Sequence, residues 1–193
     1  MNPVAQDILD FWFGTAGEPE HGMRRAEWFR KDAAFDALIR SRFAGAVDEA
    51  LATAGALFGA TPQETLANIL LLDQFTRNIH RDTPRAFAGD AQARALALAL
   101  TQRGDDARLA PLQRLFVYLP FEHAEDLALQ ELSVRCFEAM VAQSPESSDL
   151  LAYAHKHRDV VRRFGRFPHR NAILGRPSSA PELAFLTEPG SRF

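Results

Sequence analysis

The residues best suited to chemistry lie close together near the C-terminus, in the stretch HKHRDVVRRFGRFPHRNAILGR from His155 to Arg176. Imidazoles move protons near neutral pH, and guanidinium forks match carboxylate and phosphate oxygens. The segment carries a charge of +6 while the whole chain carries −3, leaving −9 on the remainder. Either it docks onto acids of the same protein, such as Asp73, Glu122 or Glu125, or it meets an anion from outside. At helical spacing Tyr153, His157, Val160, Val161 and Phe164 share one arc of about 100°, so His157 projects from an apolar stripe. A histidine there is ordinarily a core residue with one satisfied hydrogen bond. His155 points about 200° away, a poor geometry for a metal pair. Beyond Gly165 the chain must leave the helix. Phe164 and Phe167 anchor that turn, Pro168 restricts it, and Arg166, His169, Arg170 and Asn171 are left to bond.

Two further stretches carry polar groups. In LLLDQFTRNIHR, a regular helix of about 100° per residue places Asp73, Gln74, Arg77, Asn78 and Arg81 on one face and Leu72, Phe75 and Ile79 on the other. Leu66 and Leu70 precede the polar groups on their own face, which puts Asp73 and Arg77 at the margin of a core. An i,i+4 pair there is either a clamp between helices or part of a ligand site. In LPFEHAED, Pro120 is expected to end one helix and open the next. Glu122, Glu125 and Asp126 would then occupy a first turn, where the helix dipole favours acids. That accounts for the acids but not for His123. His123 with Glu125 is the best candidate for proton transfer.

The elements that must position these groups read as helices throughout. Asp32 caps a long helix whose stripe is Phe35, Leu38, Ile39, Phe43, Val47 and Leu51. Thr61, Pro62 and Glu64 form a capping box with proline at the first helical position. A last long helix runs from about Ser148 to Phe164, with Gly165 as its terminator. No alternating, β-branched run marks a strand. The expected fold is all-α, an antiparallel helical stack in a single domain over residues 1–193.

Composition narrows the function classes. Hydrophobic content of 47% with 24% charged residues suits a soluble globular chain. The single Cys136 excludes an internal disulfide and reads as a buried structural thiol. No signal peptide and no run of about 18 apolar residues is present, so a cytoplasmic location without membrane partners is expected. A net charge of −3 gives no general reason to bind nucleic acid. Twenty arginines against two lysines weaken any argument from arginine alone, since base composition produces the same bias. Zinc-binding, di-iron, phosphate-loop, dinucleotide and nucleophile-elbow signatures are all absent, so no metal or cofactor is expected.

Taken together, DILDFWFG, WFRKDAAFDALIRSRF, LLLDQFTRNIHRDTPRAFAGDAQAR, RLFVYLPFEHAEDLALQE and HRDVVRRFGRFPHRNAILGR resemble the bacterial domain-of-unknown-function family 924 over nearly the whole chain. The resemblance implies an all-α fold similar to tetratricopeptide-type stacks, and no assigned activity. Its motif positions fall on Asp73, Gln74, Arg77, Asn78, His123, Glu125, His157, Arg163, Arg166, His169, Arg170 and Asn171. Ala124 stands where the family pattern carries a serine, which argues against a mechanism needing that hydroxyl. The stretch after Arg176, PSSAPELAFL, looks looser than the family's pattern.

The resulting expectation is one concave pocket, formed by all three motifs, for an anionic small molecule or a peptide carboxylate. Arg77, Arg166 and Arg170 would hold the anion, His169 and Asn171 would orient it, and His123 with Glu125 would move protons. Two rival readings are a helical interaction module whose groove takes a protein partner, and motifs that serve architecture alone.

Overall fold

The computed structural model describes residues 1–59 and 61–191, with Glu146 described by its backbone alone. The protein is all-α, with no strand among the described residues. The chain divides into two compact units, Met1–Arg81 with Arg85–Pro120, and Asp82–Pro84 with Phe121–Phe193.

In the first unit, α1 (Pro3–Phe13) starts with proline at a first-turn position, and the Asn2 side chain accepts from the Val4 N–H. Asp32 does the same for α2 (Ala33–Ala52), accepting from Ala34 and Phe35 at 3.1 Å each. Phe35, Ile39, Phe43, Val47 and Ala50 are the buried face of α2, whereas Leu38 is exposed and leaves the expected stripe. Thr61 caps α3 (Pro62–Ile69), and Glu64 returns to the Thr61 hydroxyl at 2.8 Å. The other Glu64 oxygen accepts the Asn2 N–H at 2.8 Å, which fastens the start of α3 to the start of α1. The core is aromatic. Trp12 packs on Trp28, Phe35, Phe75 and Phe116, with ring centroids 5.2–5.8 Å apart.

One long regular helix is expected from Pro62 onward, and the structure departs from it. Leu70–Phe75 form a π-helical segment between α3 and α4 (Thr76–Ile79). The Thr76 N–H bonds to the Leu71 carbonyl five residues back, and its hydroxyl donates to the same oxygen at 2.7 Å. A wider turn changes the angular spacing, so the even wheel drawn from Asp73 to Arg81 does not hold. All six residues of the segment are buried, Asp73 and Gln74 among them. Both α2 and α5 (Asp90–Gln102) pack on this segment. Gly89, which precedes α5, makes that approach close: a Cβ there would lie 2.3 Å from the Leu72 carbonyl oxygen.

The second correction concerns Pro120, which lies inside α6 (Pro111–Glu122). The missing N–H deprives only one carbonyl of its partner, and the helix ends within a turn. Glu122 is therefore the last residue of α6, not the first turn of the next helix. Asp126 caps α7 (Leu127–Gln143), accepting from Leu129 at 3.0 Å.

In the second unit, α7 pairs with α8 (Ser148–Phe164) through the short turn Pro145–Ser147. Gly165 ends α8 in the left-handed conformation at φ 70°, and its N–H bonds Val161 at 2.7 Å. A 3₁₀ turn, Pro168–Arg170, follows and packs on α9 (Ala180–Phe185). Val160, Val161, Phe167 and Phe185 form the core there, with Phe164 at its edge. Cys136 is half-buried, so the fully buried thiol expected of it is not found.

Because a Cβ at Gly89 would collide with the Leu72 carbonyl, Gly89→Ala should lower stability by about 1–3 kcal/mol. Chemical denaturation of the two proteins checks it, and an unchanged midpoint would show that the segment yields without cost.

Candidate functional site

The polar groups of the second unit converge on Phe167. This side chain is fully buried, and its ring touches three titratable neighbours. The Arg170 guanidinium lies 4.5 Å above the ring centroid, His169 is at 5.5 Å, and His157 meets it edge-on at 5.6 Å. Backbone bonds fix where Phe167 stands. Its N–H donates to Glu125 Oε1 at 2.8 Å, and its carbonyl accepts from Arg176 Nη2 at 3.3 Å. The Arg176 fork holds both Glu125 oxygens, at 2.6 and 2.8 Å. Burial pushes the Glu125 carboxyl up, but the bonds from Arg176 and Phe167, with the charges of Arg176 and Arg170, outweigh it and hold the group below its usual range.

His157 is the centre of this group. Its Nδ1 lies 2.9 Å from the Tyr153 carbonyl and 3.2 Å from Glu122 Oε1. A carbonyl only accepts, so Nδ1 carries the hydrogen and Nε2 is the basic nitrogen. Burial, foremost, with the positive fields of His123, Arg170 and His169, pushes His157 down to about 3. The ring is therefore neutral at physiological pH, and its 3.2 Å approach to Glu122 Oε1 is not an ion pair. Glu122 is buried at a helix C-terminus, where the dipole disfavours an acid. Helix capping therefore does not account for this carboxylate. The spare carbonyls of that helix end are met by Gln130 Nε2, which donates to Glu122 at 2.6 Å and Ala124 at 2.7 Å. Arg170 Nη1 reaches the His123 carbonyl at 3.0 Å, joining the 3₁₀ turn to the segment between α6 and α7.

Arg166 and Asn171 have different duties. Arg166 grips Glu182 with Nε at 2.6 Å and Nη2 at 2.9 Å, and Nη2 also bonds the Pro177 carbonyl at 2.9 Å. Glu182 closes a capping box with Ser179 at the start of α9. The Arg166 bonds, foremost, and the Ser179 N–H hold its carboxyl far below the ordinary range. Asn171 donates to Ser178 Oγ and accepts from Arg176 Nε, both at 3.0 Å. Arg163 lies over the rings of Phe164 and Phe185. Much of the basic segment is thus met by acids of its own chain, with Arg162 on Glu131 at 2.5 Å as a further case.

The first unit holds its own network. Arg77 Nη1 bonds the Asp73 carbonyl at 2.7 Å and Asp73 Oδ1 at 3.0 Å, while its Nη2 bonds Asp90 Oδ2 at 3.1 Å. Gln74 donates to Asp73 Oδ2 at 2.6 Å. Asn78 and Arg81 both bond Asp36 of α2 at 2.7 Å. Asp73, Gln74, Arg77 and Asn78 thus tie α2, the π-helical segment, α4 and α5 together. Among the described residues, no group of three or more His, Cys, Asp or Glu is arranged to hold a metal ion. No described helix is long and apolar enough to cross a membrane.

Glu122, Arg176 and Glu182 take part in these contacts although the sequence pattern does not single them out as site residues. Glu182 was within reach, since Ser179 followed three residues later by glutamate is a capping-box signature. Glu122 was hidden by the misplaced helix start at Pro120. For Arg176 no local signal exists, because its partners Glu125 and Phe167 are fixed by tertiary structure.

Two measurements follow from these contacts. Arg166→Ala and Glu182→Gln should each lower the denaturation midpoint, and the double variant should fall little below either one, because both remove the same interaction. Fully additive losses would show independent roles. Between pH 6.5 and about 3, the unfolded chain binds a proton at His157 and the folded chain does not. Stability must therefore fall as pH falls through that window, at a slope of at most about 1.4 kcal/mol per pH unit from this group. Glu125 adds a loss of the same sign below the ordinary carboxylate range. His157→Gln should flatten the upper part of the profile, and an unchanged slope between pH 6 and 5 would mean that His157 is protonated when folded.

The family model described as a bacterial protein of unknown function (DUF924) matches residues 8–190. The solved structure of a protein of unknown function from Agrobacterium tumefaciens is 40% identical, with a TM-score of 0.74. The match covers 95% of this chain and 97% of that one. No curated protein matches the chain. A family match over nearly the full length, together with a solved relative at this identity and coverage, shows that the chain belongs to the DUF924 family.

Proposed function

We propose that the second unit binds an anionic small molecule or a peptide carboxylate at the group formed by His123, His157, His169 and Arg170. The observation that carries this reading is the convergence of two imidazoles, His157 and His169, and the Arg170 guanidinium on one buried ring, with His123 tied to Arg170 through its carbonyl, beside a carboxylate that no helix end favours. Titratable groups held together under desolvation oppose folding, and such groups concentrate at functional sites. In this reading Arg170 and His169 engage the anion, and His123 is the group able to move a proton. Glu125 and Asn171 are positioning residues: Glu125 holds Arg176 and the Phe167 N–H, and Asn171 holds the turn through Ser178 and Arg176. Arg166 likewise serves α9, and Arg77, with Asp73, Gln74 and Asn78, serves the packing of the first unit. The same reading keeps residues 1–193 as one domain, since the division at Pro120 and Phe121 falls inside α6 and not in a linker.

Thermal unfolding with inorganic phosphate, succinate or an acetylated dipeptide tests the reading. A ligand at about 100 times its Kd adds roughly 2.7 kcal/mol, a rise of about 5–10 °C in Tm for a chain of this size. The rise should vanish in Arg170→Gln and shrink in His169→Gln. No rise with any of the three, or an equal rise in both folded variants, would overturn it.

A further inference from the structure

The turn that carries His123 is held by a side chain outside the anion group. Phe121, Glu122 and Ala124 are buried, while His123 between them is half-buried. Gln130, in the first turn of α7, is fully buried. Its Nε2 donates to the Glu122 carbonyl at 2.6 Å and to the Ala124 carbonyl at 2.7 Å, with a longer approach of 3.4 Å to the Phe121 carbonyl. The carbonyl in between, that of His123, accepts from Arg170 Nη1 at 3.0 Å. Three successive carbonyls are thus bound by two side chains from two different elements.

The orientation of the Gln130 amide is fixed by these partners, because carbonyls only accept and the NH₂ end must face them. Its other end gains nothing: Oε1 is buried and has no hydrogen-bond partner among the described residues. Burying an amide with one end unmatched is costly, so this residue is placed for its two N–H groups. Helix ends are ordinarily closed by a left-handed glycine and backbone bonds. The end of α6 is closed instead from the following helix. The Gln130 N–H bonds the Asp126 carbonyl at 3.0 Å, so the clamp stands on the first turn of α7. The backbone of His123 therefore takes its place from α7, and Arg170 takes its place from that backbone.

We propose that Gln130 is a positioning residue of the anion site, holding the turn at His123 so that this imidazole and the Arg170 guanidinium are presented together. The inference rests on the reading that Arg170 and His123 act on the anion. Gln130, being fully buried, touches no ligand itself. A shift of about 1 Å in the His123 carbonyl would break its bond to Arg170 and let the guanidinium swing over the Phe167 ring.

Gln130→Met keeps the length of the side chain and removes both N–H groups. Calorimetric titration of the whole chain with inorganic phosphate and with succinate should show affinity lower by about tenfold, the low end of what losing an orienting partner costs at metal sites. Gly89→Ala, which disturbs the first unit and not this turn, should bind as the wild type does. Nitrogen NMR of the ligand-free protein reads Arg170 directly. Its bond to the His123 carbonyl slows guanidinium rotation, so the two Nη groups give separate signals, which should merge in Gln130→Met. Should that variant not fold, Gln130→Glu keeps the shape and, protonated, one donor, and a smaller loss of the same kind is expected. Undiminished affinity in the folded Gln130 variant, unchanged Arg170 signals, or an equal loss in Gly89→Ala would each overturn the inference. Failure of the wild type to bind either anion would overturn the anion reading itself, and this inference with it, before any variant is made.

Discussion

The second unit depends on one carboxylate. Glu125 takes the Arg176 fork and the Phe167 N–H, and by doing so fixes the chain where it leaves α8. Pro168 restricts the same turn, and Arg170 and Asn171 tie it to the His123 carbonyl and to Ser178. So held, the Phe167 ring is a surface on which Arg170, His169 and His157 rest. Charge is used here first to hold a backbone in place, and only then to create a cluster. The neutral state of His157 belongs to the same logic, since burial beside Arg170 and two imidazoles disfavours a further positive charge.

The first unit solves a similar problem with backbone geometry. Its wide helical segment, Leu70–Phe75, turns Asp73 and Gln74 into the protein while Leu70, Leu71, Leu72 and Phe75 are buried as well. Arg77 then spans from Asp73 to Asp90, so one guanidinium joins the π-helical segment to α5. Burial raises the cost of leaving either carboxylate unmatched, and the fields of Asp73 and Asp90 keep Arg77 charged against its own desolvation. The close contact at Gly89 and this ion triad work on the same junction.

The uneven charge of the sequence is explained mainly from within. Arg162, Arg166 and Arg176 find Glu131, Glu182 and Glu125, so the basic segment is largely a set of clasps for its own unit. Arg170 differs in its surroundings, lying against a ring and reaching a carbonyl at a group of histidines. That contrast separates a candidate binding residue from its structural neighbours, and arginine counts in the sequence could not make it.

The helical class, the caps at Asp32, Thr61 and Gly165, and the placing of His157 on a buried stripe all follow from local sequence. Each of these rests on residues within a turn or two of one another, where spacing and local hydrogen bonds decide the outcome. Tertiary structure alone decided that α6 runs through Pro120 and that the helix widens at Leu70. In both places packing overrides the local preference for a break or a regular turn. It also decided which acid each arginine meets, because Glu125 and Arg176 lie 51 residues apart and no local pattern links them. The chemistry-bearing residue types were legible from the chain. Their division into clasps and a candidate site was not, because that depends on which side chains burial brings together.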